Sequence, residues 1–152
     1  NASGLTNVIP KFIAVQAKGC NPIVRGYRSG NLQVERIENP ETIAHAIENP
    51  FPPSGNQVLR MLKSNDGMAI DIEEDEIIEA QRELAYMGQF VQPASATSYA
   101  ALKKLFNEGS ISMDDVAVCV LTASGLKYTQ SIKMHKIDVK NCSLDDLEEN
   151  LK

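Results

Sequence analysis

Val116 to Lys127 reads VAVCVLTASGLK: six apolar residues, Val116 to Leu121, closed abruptly by Thr122-Ala123-Ser124-Gly125. An uninterrupted β-branched run this short is too brief for a globular helix, and it predicts a central parallel strand covered on both faces. The small, hydroxylated turn behind it then falls at the carboxyl end of the strand, where open α/β sheets place their ligand crevice. Thr122 is the first candidate ligand contact, and the competing reading is that Thr122 and Ser124 only satisfy a βα turn.

Working outward, Lys11 to Ala17 (KFIAVQA) is bounded by Pro10 and Gly19 and predicts a short strand, followed by a turn at Cys20-Asn21-Pro22 and a helix from about Ile23. Asn39-Pro40-Glu41 predicts a helix capped by Asn39 and running to about Glu48. The proline-rich stretch 49–55, NPFPPSG, excludes regular structure, and Val58, Leu59 and Leu62 then mark a second helix from about Asn56. Residues 67–72, GMAIDI, predict a strand, with Asp71 as cap of a helix that opens on Glu73-Glu74-Asp75-Glu76 and reaches Met87. Those acids read better as a dipole-stabilised first turn than as a metal site. Phe90-Val91 form a short strand, and Pro93 opens a helix whose small residues let a ligand approach its amino end. Ile132 to Val139 read as an edge strand, and Ser143 to Asp146 as the start of a terminal helix.

Strands alternating with helices in this order predict an α/β domain, three layers deep, with a mostly parallel sheet. The domain spans 11–128, with 1–10 as lead-in or tag remnant and 129–152 as a carboxyl-terminal extension. Three corners follow strands and share one edge of that sheet: Gly19-Cys20-Asn21, Pro93-Ala94-Ser95 and Thr122 to Gly125. Small residues at all three suit a flat ligand such as a coenzyme ring pressed against backbone. At 152 residues with 43% hydrophobic content, one domain with a real core is expected. A net charge of -5 gives no surface for a phosphate backbone, so nucleic acid is excluded as a partner. Cys20, Cys119 and Cys142 are odd in number and widely spaced, which suggests neither disulfides nor zinc and fits a reducing compartment. Without an apolar stretch of membrane length, the expectation is a soluble cytoplasmic protein. His45 and His135 have no partner at ligand spacing, so neither reads as catalytic. The chain starts Asn1-Ala2 and has its first methionine at Met61, as expected of a tag remnant or of excision from something longer.

Four motifs in order, AVQAKGCNPIVRGY, ETIAHAIENP, GQFVQPASATSYAALKKL and VCVLTASGLK, resemble the carboxyl-terminal part of threonine synthases, of the fold-type-II pyridoxal-phosphate enzymes, over about Ile9 to Lys127. The resemblance implies part of the large domain of that fold and a lyase reaction in which O-phosphohomoserine and water give threonine and phosphate. It implies that Thr122 places its hydroxyl on the pyridine nitrogen, that Gly19 and Cys20 lie against one ring face, and that Ala94 and Ser95 lie beside the ring edge, with Ser124 as a neighbour. No catalytic residue or metal ligand is carried over. Gln92 stands where the family has Glu in E-P-A-S-A, and Thr122 to Tyr128 reads T-A-S-G-L-K-Y where the family has T-G-H-G-L-K-D. A cysteate synthase-like paralogue joining phosphoserine to sulfite fits the same residues. The family's Schiff-base lysine and phosphate-binding Gly/Asn-rich loop precede the matched region, no G-x-G-N run occurs here, and Lys127 is not at the lysine's position. The polypeptide is therefore expected to be inactive alone, to need the amino-terminal part of the same enzyme, and to self-associate through uncovered sheet. A free-standing small-ligand module and a dimerisation platform remain the alternatives of other classes.

Overall fold

The computed structural model describes residues 8–135 continuously, together with 4, 137, 142–144 and 146. Its centre is a parallel pair, β1 (Ile13–Ala17) and β2 (Met68–Ile72), in register from Ile13 opposite Met68 to Ala17 opposite Ile72. Helices α1 (Pro22–Arg28), α2 (Gly55–Ser64), α3 (Glu74–Tyr86) and α4 (Pro93–Asn107) surround it, which is the α/β architecture expected from the alternation of strands and helices. Among the described residues no helix is long and apolar enough to cross a membrane.

Helix α3 buries Ile77, Ala80, Gln81 and Leu84, one stripe at helical spacing. Its first turn carries Glu74, Asp75 and Glu76 against the positive end of the helix dipole. The backbone N–H of Glu73 donates to Glu76 Oε2 at 2.9 Å, so the cap is Glu73 and not Asp71. Asp71 stays in β2 because its carboxylate is engaged across the sheet edge. Arg28 donates to it through both guanidinium arms (2.9 and 2.8 Å), and Asn21 Nδ2 donates at 2.6 Å. Helix α4 packs on α3, and its Ala96, Ala100, Ala101 and Leu105 are buried in one core with Ile77, Ala80 and Leu84 of α3 and with Ala17, Ile70 and Ile72.

Two elements depart from the sequence reading. The helix expected over 39–48 is absent except for a 3₁₀ turn at His45–Ile47. Distant partners take its backbone groups: Glu41 N–H donates to Gly19 O and Ile43 N–H to Glu74 Oε2. The run Val116 to Leu121 is extended but is not a covered central strand, since Val116, Val118 and Val120 are 95, 84 and 67% exposed. Cys119 and Leu121 face inward; the Cys119 thiol reaches Ser98 O, and Leu121 packs against the main core. The alternation of a strand is present only from Val118 to Leu121, since Ala117 is exposed like its neighbours, and among the described residues no strand pairs with the run. Phe90-Val91 likewise forms only an isolated antiparallel bridge, Val91 with Ser124. Residues 132–135 belong to the 3₁₀ segment Thr129–His135 rather than an edge strand. Residues 136, 138 and 139 of that strand, much of the terminal helix and most of the lead-in lie outside the described residues.

Candidate functional site

The site is built where the chain enters α4 and where it leaves the valine run. Gln92 is the cap and Pro93 the first residue of α4, which places Ala94 and Ser95 in its first turn, both buried. The Val91–Ser124 bridge, with Gln92 N–H donating to Ala123 O (3.0 Å) and Gly125 N–H to Phe90 O (2.9 Å), holds 122–125 alongside. Gly125 is needed there, because a Cβ would stand 2.6 Å from the Phe90 ring.

Ser95 is the knot of this corner. Its Oγ accepts the N–H groups of Thr122 (3.2 Å) and Ala123 (3.0 Å) and lies 2.9 Å from Thr122 Oγ1. A hydroxyl has one hydrogen and two lone pairs. With both lone pairs engaged, the hydrogen between Ser95 and Thr122 belongs to Ser95, whose other acceptor, Ala123 O, is farther at 3.4 Å. Thr122 therefore accepts from Ser95 and keeps its own hydroxyl hydrogen free to donate outward, on an exposed side chain. The arrangement presents one fixed neutral donor, suited to an acceptor such as an unprotonated ring nitrogen. Ser124, exposed, turns its Oγ to the N–H of Leu126 (3.2 Å).

Gly19 and Cys20 lie against the segment 41–49. A Cβ on Gly19 would stand 1.8 Å from Glu41 O, and Cys20 is fully buried. Burial first, then the Glu48 charge, raises the Cys20 thiol above its ordinary pKa, so it is a protonated packing group rather than a nucleophile at neutral pH. The same segment supplies Ile43, His45 and Ala46 to one wall of a cleft of about 280 Å³ whose other lining is Gln92, Pro93, Ala94, Lys127 and Tyr128. His45 Nδ1 lies 2.8 Å from Glu48 Oε2, and its ring meets Tyr128 edge-on at 5.4 Å between centroids. The structure thus joins Ser95 directly to Thr122, brings Ala94 into the cleft, and connects Gly19 and Cys20 to it through 41–49. His45 and Tyr128 were not candidates from sequence; the only signal was that His45 lies within the second motif and Tyr128 directly follows the fourth.

The family model for pyridoxal-phosphate dependent enzymes matches residues 2–123. The threonine synthase of Methanocaldococcus jannaschii is 39% identical over 99% of this chain and 38% of its own length. That of Methanosarcina acetivorans is 38% identical over 85% of the chain and 32% of its length. The chain spans about a third of the length of these curated relatives. Among solved structures, the Escherichia coli threonine synthase superposes with a TM-score of 0.70 over 97% of this chain and 34% of that one, at 17% identity, which shows a common fold.

Proposed function

The chain belongs to the pyridoxal-phosphate dependent enzyme family, and from that membership we propose that it forms the ring-holding third of a threonine synthase, which converts O-phosphohomoserine and water to threonine and phosphate. The observation that carries the reading is the 2.9 Å contact of the Ser95 and Thr122 hydroxyls, with Ser95 Oγ also accepting the N–H groups of Thr122 and Ala123, an arrangement that assigns Thr122 a hydroxyl hydrogen to donate. A pyridine nitrogen is an acceptor without a hydrogen, and a neutral hydroxyl satisfies it without forcing its protonation. Bound pyridoxal phosphate supplies the electron sink for bonds made and broken on the amino-acid substrate. The residues of this chain bind and orient. Thr122 donates to the ring nitrogen, Ser95 locks the rotamer of Thr122, and Ala94 keeps the amino end of α4 open beside the ring edge. Gly19 and Cys20 set the backbone behind it, and Ser124 closes the turn.

The curated relatives are about three times longer, which supports a division of labour in which other residues of a longer protein anchor the coenzyme and its phosphate. On this reading the 152-residue polypeptide alone releases no phosphate from substrate. The exposed valines of Val116 to Leu121 are then the edge on which further strands of that protein pair, and the isolated polypeptide self-associates through them, as light scattering would show. The functional test is a full-length cytoplasmic protein carrying this chain, assayed for phosphate release from O-phosphohomoserine and, in parallel, for cysteate from phosphoserine and sulfite. Threonine formation supports the reading, cysteate alone replaces the substrate, and neither product ends it.

A further inference from the structure

One buried polar side chain is not used by the site described above. Gln81 sits on the apolar stripe of α3 between Ile77 and Leu84 and is 1% exposed. Its amide orientation follows from its neighbours. Val91 O can only accept, so Nε2 faces it, at 2.7 Å, and the second amide hydrogen goes to Ser131 Oγ at 3.1 Å. Ser131, fully buried, passes its own hydrogen to Tyr128 O at 2.9 Å. That leaves Gln81 Oε1, an acceptor, 2.7 Å from His135 Nε2. The imidazole must carry its hydrogen on Nε2, and Nδ1 is then a bare lone pair, buried and, among the described residues, without a hydrogen-bond partner.

We propose that Gln81 is a positioning residue for the Val91–Ser95 corner and that Thr129–His135 docks on it as a pH-sensitive latch, engaged while His135 is neutral and released when His135 is protonated. Protonation creates a buried N–H at Nδ1 with no acceptor, on a ring that has become a cation. From α3 the charge facing the ring is the guanidinium of Arg82, itself paired with Glu79 at 3.1 Å, and on its own segment Lys133 carries the same sign. Among the described residues the charge acting on the ring is Arg82, which opposes the proton. Burial first, then Arg82, holds the ring below its ordinary pKa. A depressed histidine value means that docking is intact above the undocked pKa of about 6.5 and weakens about tenfold for each unit that pH falls from there to the docked value. The effect reaches the corner because Val91 bridges Ser124, and it reaches the cleft because the Tyr128 ring lines it. Relevance to the coenzyme rests on the proposed function; the docking does not.

The test is hydrogen–deuterium exchange on the full-length protein from pH 5 to 8, expressed as protection relative to intrinsic exchange, together with the proton NMR titration of His135. Protection at Ser131, Gln92 and Gly125 should fall as pH drops below about 6.5, by at most about tenfold per unit, and level off where the His135 titration is complete. In His135→Gln, whose amide can donate to Gln81 Oε1 without titrating, protection should be flat with pH. Gln81→Met should show low protection at those amides at every pH. The same pH dependence in His135→Gln, or protection that does not follow the His135 titration in the wild type, overturns the latch. The wild-type comparison decides even where a variant fails to fold, and it needs no bound coenzyme.

Discussion

Replacing Ser95 by alanine removes one hydroxyl and leaves three groups to answer for. The N–H groups of Thr122 and Ala123 lose their acceptor, and Thr122 Oγ1 loses its donor. A buried donor left without a partner costs about 1–3 kcal/mol, whereas one that water can reach costs the net bond, about 1 kcal/mol. Thr122 is exposed and Ala123 half-buried, so the low end applies to both N–H groups, and the methyl of alanine fits the space already filled by the serine Cβ. The sum is about 2 kcal/mol, or about 30-fold in the opening of the corner. The assay is amide exchange in the full-length protein. Ala123 N–H, and Gln92 N–H which donates to Ala123 O, should exchange about 30-fold faster, with the amides of β2 unchanged. A change below twofold at both would mean that Ser95 does not hold Thr122, and the assignment of its free hydrogen would fall with it.

Gly19→Ala should cost about 3 kcal/mol in urea denaturation, because the new Cβ meets the Glu41 carbonyl oxygen at 1.8 Å and backbone on one side must move; a loss under 1 kcal/mol would show that the 41–49 segment yields freely. Burial is the largest influence on Asp71 and pushes its carboxyl up, but hydrogen bonds from Arg28 and Asn21, with the charges of Arg28 and Lys104, outweigh it and hold the carboxyl below the usual range. Its stabilisation is therefore present above about pH 3.9 and lost as pH falls through the depressed value. Asp71→Asn should be less stable by about 1–3 kcal/mol at pH 7, with Arg28 half in solvent limiting the loss, and the gap should close on acidification below about pH 4; a gap independent of pH would refute this. Thiol alkylation at pH 7 should proceed at Cys142 first, then Cys119, then Cys20, following exposure and the upward shifts at Cys119 and Cys20; mass spectrometry finding Cys20 first would contradict its placement.

What the sequence disclosed was what is decided locally. Pro93–Asn107 and Glu74–Tyr86 have their start signals and apolar stripes within one segment, and both form close to the expected bounds. The helix expected from Asn39 fails because its donors at Glu41 and Ile43 go to Gly19 and Glu74, partners that no local pattern reveals. Asp71 reads as a cap until Arg28 and Asn21, 43 and 50 residues away, claim its carboxylate. The valine run kept its alternation only from Val118 to Leu121, and a strand is defined by a neighbour that was not visible from the run itself. At the site, the corners at Ser95 and Thr122 were each legible as turns of small hydroxylated residues; that one hydroxyl serves the other was not, since it depends on a bridge between 91 and 124. Gln81 did leave a trace, a polar residue inside an apolar stripe, which is the pattern of a buried amide with distant partners.

The central claim is that Thr122 gives its free hydroxyl hydrogen to the coenzyme ring. It is tested most directly by the dissociation constant of pyridoxal phosphate for the full-length protein and for Thr122→Ser and Thr122→Ala. The account predicts near wild-type binding for serine, which keeps the donor, and binding weakened about tenfold for alanine, the worth of one hydrogen bond of about 1.4 kcal/mol. Equal affinity in all three proteins would contradict it.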